Sequence, residues 1–108
     1  MLNLLAFRDV ADDPPDVPVR SGRAAYEAYS EAVAPLLTRV GARIHLLATA
    51  LHSVVAPPRE EWDEMLLVEY PSRDAFASMI QMPEYKDIVH HRTAALRDAR
   101  LIATTPCG

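Results

Sequence analysis

Proline placement constrains this chain more than any other feature. Prolines stand at 14, 15, 18, 35, 57, 58, 71, 83 and 106. A proline has no amide hydrogen and a fixed φ, so it opens, closes or bends elements and rarely sits inside them. With Gly41, these residues cut the sequence into short apolar segments, each sized for one element. Leu2 to Phe7 reads as a first strand. Arg8 to Arg20 holds Pro14, Pro15 and Pro18 with Asp9, Asp12, Asp13 and Asp16, a loop long enough to be a lid or a loosely ordered insertion.

Ser21 can cap a helix to about Val40, with Gly41 stopping it. At about 100° per residue, Tyr26, Tyr29, Val33, Leu36, Leu37 and Val40 form one stripe. Pro35 falls on the opposite face, where the freed carbonyl of Glu31 can bond water. Ala42 to Val55 carries no helical stripe and reads as a second strand, bent or bulged. After the turn Ala56-Pro57-Pro58-Arg59-Glu60 comes a third strand, Glu61 to Tyr70, making a hairpin. Ser72 caps a second helix with Phe76, Met79 and Ile80 on one face. Pro83 opens a third, Glu84 to Arg97, striped by Tyr85, Ile88, Val89 and Leu96. Ala99 to Thr104 is a last strand, and residues 105–108 are a tail.

Strand, helix, strand, strand, split helix, strand is the α+β, ferredoxin-like order, expected here as one domain over 1–108. Helices cover one face of the sheet. If the other face is apolar, a second copy is the economical cover, so a homodimer is expected. A chain this short buries only about two-thirds of its unfolded surface, which adds to that expectation.

Charge excludes several classes. Eleven Lys and Arg against fifteen Asp and Glu give a net charge of −4, wrong for a strongly basic nucleic-acid binder or a polybasic membrane patch. Cys107 is the only cysteine, so no internal disulfide or Cys-x-x-Cys metal site exists. The apolar start, Met1 to Phe7, is too short for a signal peptide or membrane span. A cytoplasmic setting is expected, with neither nucleic acid nor membrane as partner.

The stretch Glu61-Trp62-Asp63-Glu64-Met65-Leu66-Leu67-Val68-Glu69-Tyr70-Pro71-Ser72-Arg73-Asp74-Ala75-Phe76 resembles the strand, Phe/Tyr-Pro-Ser, helix segment of a bacterial family, the domain of unknown function numbered 1330, in the dimeric α/β barrel superfamily. Met82-Pro83-Glu84-Tyr85 resembles its helix start, and His91-Arg92-Thr93-Ala94-Ala95-Leu96 its following run. Tyr29 and the Gly41 region fit its first helix and turn. The resemblance covers roughly Tyr26 to Thr104. It implies a ferredoxin-like dimer with a cleft and names no reaction. Neighbouring families include cofactor-free monooxygenases, lactone isomerases, haem enzymes and ligand-binding regulatory domains, so fold alone decides little. The segment Arg8 to Arg20 departs from the family pattern. If it covers the barrel mouth, ligand access differs from that in relatives.

Arg92 is the most informative position. It lies about 20° from Tyr85 and about 40° from Ile88 and Leu96, near the middle of an apolar stripe. An unpaired charge there is costly. The guanidinium can pair with Glu64, if Trp62, Glu64, Leu66, Val68 and Tyr70 face the helices. It can also snorkel to an edge, or bind a ligand anion. The other face of the third strand then carries Asp63, Met65, Leu67 and Glu69. The second strand directs Arg43, His45, Leu47, Thr49 and Leu51 the same way, leaving Ile44 and Leu46 for the helices, and Asn3 can join from the first. Such a half-polar face fits either a ligand cavity or pairing across a dimer. A bulge would exchange the faces.

His91 and His45 are the candidate general bases, with Arg43 or Arg92 stabilising a substrate anion. His90 and His91 diverge by about 100° and cannot share a metal in the usual manner. No metal site and no cofactor is expected. Tyr29 and Trp62 can edge an aromatic pocket, or serve as core. The expected function is a small-molecule cleft in a homodimer, used by a cofactor-free oxygenase or isomerase, by a non-catalytic ligand-binding module, or not at all in a purely structural dimer.

Overall fold

The structure, a computed structural model, describes residues 1–107. Strand β1 (Leu2–Phe7) is followed by α1 (Gly22–Arg39), β2 (Arg43–Thr49), β3 (Glu64–Glu69), α2 (Arg73–Gln81), α3 (Pro83–Ala95) and β4 (Leu96–Ile102). The strands form one antiparallel sheet in the order β2-β3-β1-β4. This is the ferredoxin-like α+β arrangement, with the split helix that Pro83 dictates. Of the expected tail 105–108, Gly108 lies outside the described residues.

Local chemistry sets the helix ends. Ser21 Oγ accepts the amide of Ala24 at 3.0 Å and Ser72 Oγ that of Ala75 at 3.1 Å, both N-caps. Gly41 takes φ 75°, the left-handed turn that stops α1. Pro35 sits exposed, while Tyr26, Tyr29, Val33 and Leu36 are buried on the opposite stripe. That stripe packs with Leu5, Phe7 and Met79 into the core between the helices and one sheet face.

Several boundaries differ from expectation. Helix α3 ends at Ala95, before Arg97, and β4 begins at Leu96, before Ala99. Leu96 pairs with Phe7 on β1, and the freed carbonyls of Ala94 and Ala95 accept the amides of Asp12 and Arg8 at 2.9 and 2.8 Å. The loop thus satisfies the helix end directly. Strand β2 stops at Thr49, short of Val55, and β3 starts at Glu64 rather than Glu61. Residues 50–63 are irregular, closed by the amide of Ala50 on the carbonyl of Asp63 at 2.9 Å. Pro57 and Pro58 have no amide hydrogens with which to extend the ladder.

The register corrects the expected faces. A bulge lies between Ile44 and Leu46. Before it, Arg43 occupies the open face as expected, and His45, the unpaired residue of the bulge, reaches Glu69 on that face. After it, Leu46 pairs with Leu67 and Leu47 with Leu66, so Leu46 points to the open face, and Leu47 and Thr49 to the helix side. Asn3 pairs with Leu66 and Leu101, which puts it under the helices. The open face therefore loses Thr49 and Asn3 to the helix side. Leu46, Leu67, Leu2 and Ile102 form one apolar row across all four strands.

The segment 8–20 is tied down. The amide of Ala11 donates to the carbonyl of Arg20 at 2.9 Å. Arg20 holds Asp13 through Nε at 2.7 Å and Nη2 at 2.9 Å.

Candidate functional site

A cleft of about 440 Å³ opens between the helices and the sheet, within the size range of small-molecule sites. Its sheet floor includes Asn3 and Leu101, its walls Tyr29 of α1, Phe76 and Ile80 of α2, and Tyr85 and Arg92 of α3, with Tyr70 at the end of β3. Tyr85 and Arg92 are seven residues apart, two helical turns, so one face of α3 presents both.

The aromatic rings are locked edge to face. Tyr29 and Tyr85 lie 6.3 Å apart at 85°, and Tyr70 and Phe76 5.2 Å apart at 77°, the arrangement that ring quadrupoles favour. The hydroxyls of Tyr29 and Tyr85 share a hydrogen bond of 3.1 Å. Burial, and then the hydrogen bond shared with Tyr85, push the Tyr29 phenol well above its ordinary range. Burial, and then the neighbouring Tyr85, take Tyr70 up to about 12. For Tyr26, burial dominates and the nearby Arg92 charge opposes it, leaving the group at about 12. At neutral pH these phenols are protonated hydrogen-bond donors.

Arg92 is half-buried. Among the described residues it forms no ion pair. The expected Arg92–Glu64 pair is absent: Glu64 lies 3.4 Å from Arg23 Nη1 instead. Glu64 shares a sheet row with Leu5, beside the first turn of α1, whereas the guanidinium lies farther along the sheet, in the cleft. Asn3 donates from Nδ2 to the carbonyl of Leu66 at 3.3 Å, turning a strand residue into part of the floor.

The other residues singled out in the sequence lie elsewhere. The Nδ1 of His91 is 3.0 Å from Arg20 Nη1. Arginine only donates, so Nδ1 accepts and the proton sits on Nε2. Burial, then the charges of His90 and Arg20, hold His91 below its ordinary value. It faces the 8–20 segment and does not line the cleft. His45 Nε2 and Arg43 Nε reach the same Glu69 oxygen, at 3.2 and 2.6 Å, on the open face. The Arg43 bond, then the His45 bond, lower the Glu69 carboxyl. Trp62 lies under the Arg100 guanidinium, 5.1 Å from the ring centroid, and lines the 50–63 loop. Asp63 bonds the amide of Phe7.

The cleft therefore gathers Tyr29 and Arg92, leaves out His91, His45, Arg43, Glu69, Trp62 and Asp63, and adds Asn3, Tyr70 and Tyr85. The spacing of Tyr85 and Arg92 on one stripe was the available signal for it. Asn3 and Tyr70 needed the register. No cluster of three His, Cys, Asp or Glu side chains able to hold a metal occurs among the described residues.

The profile of a family described as "Domain of unknown function (DUF1330)" matches residues 19–105. The chain belongs to the DUF1330 family. Its fold is similar to that of RPA0582, a protein of unknown function from Rhodopseudomonas palustris, at 36% identity and a TM-score of 0.90, over 99% of this chain and 80% of that one. Methylated RPA0582 gives a TM-score of 0.91 at 36% identity, over 99% and 78%. A protein of unknown function from Bacteroides fragilis, described as dimeric with a ferredoxin-like fold, matches at 19% identity and a TM-score of 0.54, over 92% of this chain and 86% of that one. That last likeness concerns the fold alone. No curated protein matches the chain. The DUF1330 match begins at residue 19, after β1 and most of the tied-down segment. The site tyrosines and Arg92 lie within it; Asn3 does not.

Proposed function

We propose that this DUF1330 protein is a homodimer whose helix–sheet cleft holds a small organic molecule. The observation that carries the reading is Arg92, a half-buried guanidinium with no ion pair among the described residues, standing among tyrosine and apolar side chains. A charge drawn partly out of water and left unpaired carries a cost, and an anionic or polar ligand in that space lowers it. The dimer is supported by the apolar row on the open face and by the dimeric description of the Bacteroides fragilis protein. A single exposed cysteine, Cys107, supports a reducing, cytoplasmic setting.

Of the functional classes open to such a cleft, a binding module has more support than an enzyme. An oxygenase or isomerase without cofactor needs a base beside the substrate. Neither His91 nor His45 lines the cleft, and its phenols are held protonated. Two-dimensional amide NMR of the purified protein with a library of small aromatic and aliphatic compounds tests the reading. Saturable shifts confined to Tyr29, Tyr70, Tyr85, Arg92 and Ala99 are expected. Shifts scattered over the surface, or none, would remove the cleft as a site. Sedimentation at micromolar concentration tests the assembly, with a dimer expected and a monomer overturning it.

A further inference from the structure

We propose that the ligand of this cleft is a small monocarboxylate with an apolar, preferably aromatic, body, its carboxylate seated on Arg92. The inference rests on the cleft being a ligand site at all, and it adds the ligand's charge and shape.

The charge follows from the lining. Among the described residues Arg92 is the one charged side chain that lines the cleft, so a single negative charge is matched and a second would stand unneutralised. The guanidinium fork fits the two oxygens of a carboxylate as parallel hydrogen bonds. The groups around it favour the same end. The hydroxyls of Tyr29 and Tyr85 are bonded to each other at 3.1 Å. That pair uses one hydroxyl hydrogen and leaves the other to donate to an anion. Among the described residues no carboxylate oxygen lies within 4.0 Å of the guanidinium to compete.

The shape follows from the apolar lining. Phe76, Met79 and Ile80 of α2 form a wall, with Leu101 on the sheet floor of the same space. Met79 is only 2% exposed, so that wall is packed from behind and holds its form. The edge-to-face pair of Tyr70 and Phe76 offers ring surface to a planar body. An acid with a ring and a short chain satisfies both ends, whereas a sugar or a polyol would leave hydroxyls against apolar carbon.

The test uses 3-phenylpropanoate and its neutral amide as probes, followed by amide NMR and calorimetry on the whole protein. The acid is expected to shift Tyr29, Tyr85, Arg92 and Ala99 saturably, and the amide to bind about tenfold to a hundredfold more weakly. Arg92→Gln should erase that preference. Arg92→Lys, which keeps the charge and loses the fork, should retain part of it. Equal binding of acid and amide at the cleft would overturn the carboxylate while leaving the cleft as a site. Binding of neither probe at these residues would overturn both. Selective binding of the acid that survives in Arg92→Gln would place the anion on another group and also overturn the proposal.

Discussion

Asp63 accepts the backbone amide of Phe7 through Oδ2 at 2.8 Å, while its own amide donates to the carbonyl of Leu5, also at 2.8 Å. The two bonds carry the β1–β3 ladder past the first residue of β3. Phe7 needs the carboxylate because β3 begins at Glu64, so no strand carbonyl stands opposite it. Asp63→Ala leaves a partly buried amide without an acceptor and should destabilise the protein by about 1–3 kcal/mol. Asp63→Asn keeps an acceptor and should lose less. Urea midpoints for the two variants measure this. If Asp63 acts on a ligand instead, Asp63→Ala leaves the midpoint where it was.

Gly22 opens α1 where three backbone segments meet. A Cβ built there would stand 2.1 Å from the carbonyl oxygen of Arg8 and 2.7 Å from that of Ala95. Neither atom can yield as a flexible side chain would, because Arg8 bonds Gly22 and Ala95 through the backbone at 3.1 and 2.8 Å. Gly22→Ala should therefore destabilise by about 2 kcal/mol or more, despite alanine's better helix propensity. Thermal unfolding shows the sign: a midpoint at or above that of the parent protein contradicts the close approach.

The contact joining Asp13, Arg20 and His91 predicts a pH response of the 8–20 segment. The bond from Arg20 holds Asp13 below its ordinary 3.8, and burial foremost holds His91 below 6.5. Both groups bind fewer protons folded than unfolded, so their contribution to stability is complete above those ordinary values. It is lost as the pH falls through the lowered ones. Protonating His91 also removes the acceptor for Arg20 and sets two cations together. Hydrogen-exchange protection of the Ala11 and Asp12 amides, corrected for intrinsic rates, should fall first below pH 6.5, as His91 takes a proton, and again below pH 3.8, as Asp13 does. Arg20→Ala should flatten the curve. Constant protection in the parent protein would mean that the backbone bonds alone hold the segment.

The element order was legible in the sequence because breakers and stripes agree: the Ser21 and Ser72 caps, Gly41 and Pro83 all act locally. What failed was non-local. The early start of β4 at Leu96 depends on pairing with Phe7, and no property of residues 96–98 announces it. The bulge beyond Ile44 exchanged Leu46 and Leu47 between faces and carried Thr49 to the helix side, with Ala48 in its place on the open face. The site was legible only where two members share an element, as Tyr85 and Arg92 do. His91 reads as a cleft residue on a helical wheel, yet Arg20, far off in sequence, claims its ring.

The proposed dimer puts the open sheet face at its interface, and Leu67 on central strand β3 tests that placement. Leu67 is flanked in register by Leu46 and Leu2, with Ile102 beyond. In the protomer it is only partly buried, so a polar replacement leaves the helix-side core intact. In a face-to-face dimer the same side chain is enclosed, and an enclosed unpaired carboxylate carries a penalty of several kcal/mol. Leu67→Glu should therefore sediment as a monomer at micromolar concentration while keeping the helical circular dichroism of the parent protein. The melting temperature of the parent should rise with protein concentration, as mass action requires of a dimer, and that of Leu67→Glu should not. A variant that still sediments as a dimer would remove the apolar row from the interface, whatever else joins the two copies.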